Sequence, residues 1–270
     1  MQIVTADERL RERRGAKILI VGPVNVGKTS LLRTLEDPGR ALFIDIEAGD
    51  LSVLDVPVRS IRLSDWPTAR DLACRIGGPN RSFAPTSCYS EAHYKALGGA
   101  LEGLDEIDII FVDSLTAISR LSFRWAEQQP EAFSDRTGKK DTRGAYGLHA
   151  REMILWLNQL QHARAMHVVF VGILEFATDD FNRGTWQLQC EGGKTGRELP
   201  GIVDEIVTYQ FLDFGDEKPP TRGFVCTTPN PWNYPAKDRS GKLNQVEPPD
   251  LGELLSKLTT SNKQETTNGK

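Results

Sequence analysis

Between residues 17 and 173, short apolar runs alternate with segments of helical periodicity. Four runs rich in β-branched and aromatic residues predict strands at 17–21, 41–47, 109–113 and 167–173. Apolar residues at helical spacing predict helices at 28–35, 65–76, 90–104, 115–129 and 145–163. Strands that alternate with helices predict a mostly parallel sheet with helices on both faces.

The pattern changes after residue 205. The runs "IVTYQFLDF" and "RGFVCTT" predict an antiparallel hairpin at the edge of the sheet, and 250–258 predicts a last helix with Asp250 as its N-cap. We therefore predict an α/β fold with a mostly parallel central sheet and an antiparallel C-terminal hairpin. Its parts are a charged N-terminal arm (1–14), one domain (15–258) and a disordered tail (259–270).

Composition limits the function classes. The chain is 39% hydrophobic and 26% charged, and it has no apolar run of the roughly 20 residues that cross a bilayer. The N-terminus lacks a signal-peptide core, and the four cysteines form no C-x-x-C, so we expect a cytoplasmic protein with reduced thiols. The net charge is −4, so any nucleic-acid surface must be local.

The stretch "VGPVNVGKTS" lies where a predicted strand becomes a predicted helix. It matches the P-loop pattern G-x-x-x-x-G-K-[ST], whereas the alternative is a glycine-rich turn that binds nothing. Its backbone amides can cradle phosphates, Lys28 can reach the β- and γ-phosphates, and Thr29 can ligate Mg²⁺. The predicted nucleotide-binding residues are Gly22, Pro23, Val24, Asn25, Val26, Gly27, Lys28, Thr29 and Ser30.

Two strand ends add carboxylates. Asp113 ends the strand "IIFVD" and is predicted to hold Mg²⁺ with Thr29, although it can also cap the helix that follows. Since Ser114 rather than a glutamate follows Asp113, the residue that activates water must come from elsewhere. Glu47, with Asp45 two residues before it, is the candidate base, and the alternative is a solvated loop acid.

The segments "GPVNVGKTS", "FIDIE" and "IIFVDSLTAI" together resemble the RecA-like P-loop ATPases, over about residues 15–258. The chain is also similar to a group of phage-encoded RecA-like ATPases implicated in single-strand annealing and recombination. The resemblance implies ATP and Mg²⁺ as cofactors, Lys28 and Glu47 as catalytic residues, and a bacterial host cell as the location.

The segment "AKDRSGKL" resembles the Lys-x-Arg finger with which RecA-like and hexameric-helicase ATPases reach a neighbouring subunit's γ-phosphate. The resemblance implies catalytic roles for Lys237 and Arg239 and a homo-oligomer, as a ring or a filament; the alternative is a solvated basic turn. Those families often carry a Gln or His switch where this chain has Ile173, Leu174 and Glu175, and Glu175 is the candidate substitute.

Two segments stand where RecA-like proteins hold single-stranded DNA, "FSDRTGKKDTRGAYG" and "FATDDFNRGTWQLQCEGGKTGRE". Cations interleaved with aromatic residues suit sequence-tolerant binding of single strands, although acidic residues dilute the second segment and a merely solvated loop is the alternative. The candidate DNA-binding residues are Arg136, Lys139, Lys140, Arg143, Arg183, Trp186, Lys194 and Arg197.

The leading prediction is an ATPase that oligomerises on single-stranded DNA and supports phage recombination or annealing. A phage single-strand-binding or replication protein is a further expected partner, and a membrane is not. The alternatives are a hexameric helicase-like motor and a nucleotide-gated adaptor, which the acidic balance favours slightly. A Ras-like GTPase is disfavoured, because the chain has no N-K-x-D motif.

Overall fold

The computed structural model describes residues 3–12, 14–178, 182, 184–215 and 219–259. The strands are β1 (Lys17–Gly22), β2 (Ala41–Asp45), β3 (Arg59–Arg62), β4 (Ile109–Asp113), β5 (His167–Thr178), β6 (Gly184–Leu188), β7 (Glu205–Leu212), β8 (Thr221–Val225), β9 (Lys237–Asp238) and β10 (Val246–Glu247). The α-helices are α1 (Ala6–Arg11), α2 (Trp66–Gly77), α3 (Glu91–Ala96), α4 (Leu115–Ala126), α5 (Thr142–Gln161), α6 (Gly193–Ile202) and α7 (Leu251–Thr259). The 3₁₀ helices are Thr29–Thr34, Pro38–Arg40, Gly49–Val53, Leu104–Glu106 and Pro130–Ala132.

The sheet has the strand order β10-β8-β7-β1-β5-β4-β2-β3. Strands β3, β2, β4, β5, β1 and β7 run parallel, and β8, β9 and β10 complete the C-terminal side in antiparallel pairings. The predicted fold class is therefore confirmed. Strand β5 lies between β1 and β4, so the P-loop strand and the strand that ends in Asp113 are not neighbours.

Each face of the sheet carries its own apolar cluster. On one face, α2, α4 and α5 pack through side chains such as Trp66, Ile118 and Trp156. On the other, the 3₁₀ helix Thr29–Thr34 and α7 pack through Leu31, Leu32 and Leu254. Burying a large apolar side chain contributes about 1.5–3 kcal/mol, so these contacts anchor the helix that follows the P-loop to the sheet.

Several elements differ from the predictions in physically clear ways. The segment after Lys28 is a 3₁₀ helix rather than an α-helix, closed by the bond from the Leu31 N–H to the Lys28 carbonyl. The helix predicted over 90–104 ends at Ala96, because Gly98 and Gly99 both take φ of 84°. The exposed edge strand β3 was not predicted, since its sequence "RSIR" lacks an apolar run.

The segment predicted as a second DNA loop is partly regular structure. Strand β5 continues to Thr178 and pairs with β6, and helix α6 follows. The tail predicted to be disordered lies outside the described residues beyond Thr259. No helix in the described ranges is long and apolar enough to span a membrane.

Candidate nucleotide-binding site

The P-loop leaves the carboxyl end of β1 through two positions that require glycine. A Cβ at Gly22 would collide with the carbonyl oxygen of Tyr209 on the neighbouring strand β7. Gly27 takes a φ of 98°, a backbone conformation that residues with a side chain rarely adopt. The two glycines therefore let the loop turn tightly against the sheet before the helix begins.

The P-loop, the loop after β2 and the start of α4 enclose a cavity of about 380 Å³. Six of the predicted nucleotide-binding residues line it, namely Val24, Asn25, Gly27, Lys28, Thr29 and Ser30. Of the other three, Gly22 ends β1, Pro23 follows it, and Val26 is buried in the apolar core. The remaining lining residues are Glu47, Ser52, Asp113, Ser114 and Ile173. The cavity thus brings together the P-loop and two of the carboxylates predicted from distant strand ends.

Lys28 lies inside this cavity. Its Nζ donates hydrogen bonds to the carbonyl oxygens of Gly22 at 3.1 Å and Pro23 at 2.8 Å. Burial lowers the pKa of Lys28, and the negative charges of Asp113 and Glu47 oppose this shift. The ammonium group is therefore held against the start of the P-loop, where it interacts with the two carboxylates.

Asp113 and Thr29 meet across the carboxyl edge of the sheet. The Thr29 hydroxyl donates to Asp113 Oδ2 at 2.5 Å. Asp113 is buried, which raises its pKa to about 6; the Thr29 hydrogen bond lowers this pKa, and the nearby charge of Glu47 raises it. A hydroxyl and a carboxylate in contact form an oxygen donor set that suits Mg²⁺, so these two residues would hold the ion. When bound, Mg²⁺ neutralises charge on the β- and γ-phosphates.

Glu47 and Asp45 occupy different environments although they are two residues apart. The exposed Glu47 lies beyond the end of β2 and lines the cavity, where its Oε1 accepts a hydrogen bond from the Ser114 hydroxyl at 2.5 Å. Asp45 is buried, and its Oδ1 accepts the Gly49 N–H at 3.0 Å. Of the two, Glu47 faces the space for a nucleotide, which is the position that a base acting on water requires.

We expect Glu47→Gln to keep ATP binding and to reduce hydrolysis by about 10²-fold or more, because an amide cannot accept the proton of the attacking water. The amide oxygen can still accept the Ser114 hydrogen bond, so the loop should keep its conformation. Single-turnover hydrolysis and equilibrium ATP binding measure the two effects separately. If Asp45→Asn abolished turnover at saturating Mg²⁺ while Glu47→Gln did not, the base would be assigned to the wrong carboxylate.

Arg222 is a cation near the P-loop that no sequence motif predicts. Its guanidinium nitrogen would be 3.5 Å from a Cβ placed on Gly27, and it packs over the ring of Phe211. No local motif marks this residue, because the hairpin of β7 and β8 brings it to the P-loop from a distant part of the chain. Only the strand pairing could reveal it.

Lys237 and Arg239 lie away from their own P-loop. They are at the amino end of the sheet, where β9 pairs with the start of β7. Because Glu205 is in register with Ile18, the length of β1 to Gly22 separates them from the P-loop by about 13 Å at 3.3 Å per residue. If these cations act on a nucleotide, it must belong to another subunit.

Both cations have partners within the chain. Lys237 Nζ donates to the carbonyl oxygens of Pro200 at 2.5 Å and Val203 at 2.7 Å, at the C-terminal end of α6. Arg239 donates to Asp204 Oδ1 at 3.0 Å, and its side chain remains 47% exposed. The segment is thus tied to the fold rather than being a freely solvated turn.

The first candidate DNA segment is exposed on the surface between α4 and α5. Arg136, Lys139, Lys140 and Arg143 are all exposed, and Lys140 makes an ion pair with Glu127 at 2.7 Å. The bridge between Phe133 and Lys140 closes this segment into a small loop. Four cations therefore lie on one short, exposed stretch.

The second candidate segment is divided between β6 and α6. Trp186 packs edge-to-face between Phe176 and Tyr234, so much of its ring is covered. Lys194 lies 3.7 Å from Glu198, and Arg197 donates to the Gly193 carbonyl. Arg183 lies outside the described residues. Phe176, which is 60% exposed, is a more accessible aromatic residue than Trp186.

The two segments meet where α5 and α6 begin. A Cβ on Gly192 would lie 3.4 Å from Tyr146 and 3.3 Å from His149, so the residue preceding α6 packs directly against α5. Tyr146 stacks on Phe123 with ring centroids 4.4 Å apart and keeps 39% of its surface exposed. Tyr146 is thus an exposed aromatic ring at the contact between the two segments.

Hydroxyl groups along α4 hold the chain between β6 and α6. Thr116 donates to the Gln189 carbonyl at 2.9 Å and accepts the Ile173 N–H at 3.1 Å. One turn later, Ser119 accepts the Glu191 N–H at 3.1 Å. Because α4 begins directly after Asp113 and Ser114, these bonds connect the nucleotide cavity to the second candidate segment.

At the end of β5, where RecA-like families carry a switch residue, Ile173 and Glu175 lie in different surroundings. Ile173 lines the nucleotide cavity. Glu175 lies further along β5, where its Oε1 accepts a hydrogen bond from Gln187 on β6 at 3.2 Å, and it is not among the residues that line that cavity. The side chain from this strand end that lines the cavity is therefore apolar.

The cavity contains a P-loop, a strand-end aspartate hydrogen-bonded to the P-loop threonine, and a glutamate. This combination defines a nucleoside-triphosphate site of the P-loop class. The family model described as AAA domain matches residues 14–240. The chain belongs to this AAA-domain family and is a P-loop ATPase, which confirms the coarser part of the predicted function.

Among solved structures, a KaiC-like protein from the hyperthermophilic archaeon Pyrococcus horikoshii is similar to this chain. It is 12% identical, 78% of each chain is covered, and the TM-score is 0.38. No curated protein has a matching sequence.

Proposed function

We propose that this ATPase oligomerises on single-stranded DNA and uses Mg²⁺ and ATP to support DNA recombination or strand annealing, in a phage that infects bacteria. One observation carries the DNA part of the proposal. The cations of residues 136–143 and those at the start of α6 belong to segments that pack together at Gly192 and Tyr146. Cations that follow a strand's backbone, with an aromatic ring available for stacking, suit sequence-tolerant binding of single strands.

The contacts of α4 supply a route by which DNA and nucleotide affect each other. Thr116 and Ser119 hydrogen-bond to the chain before α6, and Ser114, the N-cap of the same helix, donates a hydrogen bond to Glu47. A shift of the second segment on DNA would move the helix that positions the base. We therefore propose that single-stranded DNA stimulates hydrolysis through α4 rather than through a polar residue at the end of β5.

The direct experiment measures the ATPase rate with and without single-stranded DNA, followed by negative-stain imaging of the same mixtures. The proposal expects stimulation together with rings or filaments on the DNA. If the ATPase rate were the same with and without DNA and no assembly were seen, the nucleotide-gated adaptor would be favoured instead. Separation of a duplex in a strand-displacement assay would favour the helicase-like motor.

Neutralising Arg136, Lys139, Lys140 and Arg143 together should weaken single-strand binding and flatten its salt dependence. Each phosphate contact that is lost should lower the slope of log K against log salt by about 0.7. Fluorescence anisotropy of a labelled oligonucleotide across a salt series measures this slope.

A matched control replaces four exposed cations on other elements, Arg59, Arg62, Arg81 and Lys95, and it should leave the slope as in the wild type. If the two quadruple variants behaved alike, a general charge effect would explain the result. The loop of residues 136–143 would then not be the DNA site.

A further inference from the structure

We propose that Asp45 is a further residue of the Mg²⁺·ATP site, where it acts as an outer-sphere carboxylate beside Thr29 and Asp113. The inference rests on the ATPase function. It assigns to Asp45 a role different from that of Glu47, the base that faces the cavity.

The sheet register places Asp45 beside Asp113. The two residues pair across β2 and β4 at the carboxyl ends of both strands. Since side chains alternate along a strand, Asp45 shares a face with Phe43, as Asp113 does with Phe111. Both phenylalanines belong to the cluster that packs under the 3₁₀ helix Thr29–Thr34, so both carboxylates lie on the P-loop side of the sheet.

One oxygen of Asp45 has no partner. The residue is 2% exposed; its Oδ1 accepts the Gly49 N–H, whereas its Oδ2 is buried without any hydrogen bond. A buried polar atom without a partner is unfavourable by about 1–3 kcal/mol, and by more when it is charged. Arg62 is in register with Asp45 on β3, but its guanidinium is hydrogen-bonded to Asp50 rather than to Asp45. The free oxygen is therefore suited to an ion or to its water shell.

The residue that Asp45 binds lies close to Thr29 and Asp113. A Cβ on Gly49, whose N–H Asp45 holds, would lie 3.8 Å from Thr29 Oγ1 and 3.9 Å from Asp113 Oδ2. The described residues contain no group of three or more His, Cys, Asp or Glu side chains arranged for a metal. Mg²⁺ is commonly held by one or two carboxylates together with substrate phosphates, and Asp45 adds to such a mixed site.

The test measures metal binding rather than turnover. Asp45→Asn removes the charge but keeps an oxygen that can accept the Gly49 N–H. With a non-hydrolysable ATP analogue bound, the Mn²⁺ affinity, read from the electron paramagnetic resonance signal of free Mn²⁺, should fall about 10- to 100-fold. Binding of the same analogue in EDTA should be unchanged, and turnover should recover as Mg²⁺ is raised.

The control is Asp55→Asn, which removes a carboxylate just after the 3₁₀ helix Gly49–Val53, one that is bonded to Arg33. It should keep the wild-type Mn²⁺ affinity. If Asp45→Asn also kept that affinity, Asp45 would serve only to hold Gly49, and the proposal would be wrong. If the wild type itself bound no Mn²⁺ with the analogue, the ATPase assignment would fail first, so the two failures are distinguishable.

Asp45→Ser gives a second measurement in case the asparagine variant does not fold. It removes the charge with a smaller side chain that can still accept a hydrogen bond. A fall in Mn²⁺ affinity of about 10- to 100-fold would support the proposal, whereas wild-type affinity in a folded Asp45→Ser protein would overturn it.

Discussion

ATP hydrolysis should fall to background in Lys28→Ala, and ATP affinity should fall by about tenfold or more. Lys28 is the P-loop cation that lines the cavity, and its Nζ donates to the carbonyls of Gly22 and Pro23. With nucleotide bound, the same ammonium would face the β- and γ-phosphates, and charge that develops there during transfer would lose its counter-charge. Steady-state phosphate release and equilibrium binding of a fluorescent ATP analogue measure the two losses.

Lys95→Ala is the matched control, because Lys95 is an exposed lysine paired with Glu91 on α3. It should hydrolyse ATP as the wild type does. Thermal melting of Lys28→Ala should show a folded protein, since Lys28 is bonded only to loop carbonyls. Wild-type hydrolysis in Lys28→Ala would refute the P-loop assignment for this stretch.

Arg239→Ala should leave ATP binding intact and reduce turnover roughly 10³-fold or more, if the residue is a finger supplied to a neighbouring subunit. The structure places Arg239 at the amino end of the sheet, beyond reach of its own P-loop. Its side chain is 47% exposed and bonded to Asp204, so it must leave this carboxylate or share it to reach a phosphate. Turnover of the assembled protein, with ATP binding as the reference, measures the effect.

Mixing two inactive variants separates a shared site from a structural role. A Glu47→Gln subunit has a working finger and an inactive site, and an Arg239→Ala subunit has the reverse. In an equal mixture, about a quarter of head-to-tail interfaces pair a working site with a working finger, so part of the activity should return. Each variant alone should stay inactive at the same total concentration.

The opposite outcome is equally clear. Arg239 and Lys237 brace the end of α6 and the start of β7 through Asp204, Pro200 and Val203. A purely structural role predicts that Arg239→Ala lowers the melting temperature and that the mixture stays inactive although co-assembly is seen. That result would show that this segment only stabilises the fold of its own subunit.

Much of the nucleotide site could be predicted from the sequence, because its parts are encoded locally. Gly27 gives the loop its turn through its positive φ, and Lys28 and Thr29 follow at a fixed spacing. Asp113 was recognisable because an apolar run that ends in an acid puts that acid at the carboxyl edge of a parallel sheet. Glu47 was recognisable only by position, and its contact with Ser114 could not be seen from either strand alone.

The second candidate DNA segment shows where prediction from the sequence fails. Its mixture of glycine, acids and cations indicates a loop, yet its first residues, 176–178, continue β5 and pair with β6 in a hairpin. Pairing with a neighbouring strand satisfies backbone groups that the local sequence leaves open, so tertiary contacts override weak local preference. The exposure of Phe176 and the cover over Trp186 follow from that pairing.

The sequence by itself determined the alternation of β1, β2, β4 and β5 with helical segments, the P-loop and the acid at the end of β4, because backbone geometry and hydrophobic periodicity act over a few residues. Only the tertiary structure decided that β5 separates β1 from β4, that Asp45 stands beside Asp113 with a free buried oxygen, and that Arg222 reaches the P-loop. It also decided that Lys237 and Arg239 lie at the end of the sheet opposite their own P-loop. These relations depend on strand order and register, which are set by how distant apolar faces are buried together.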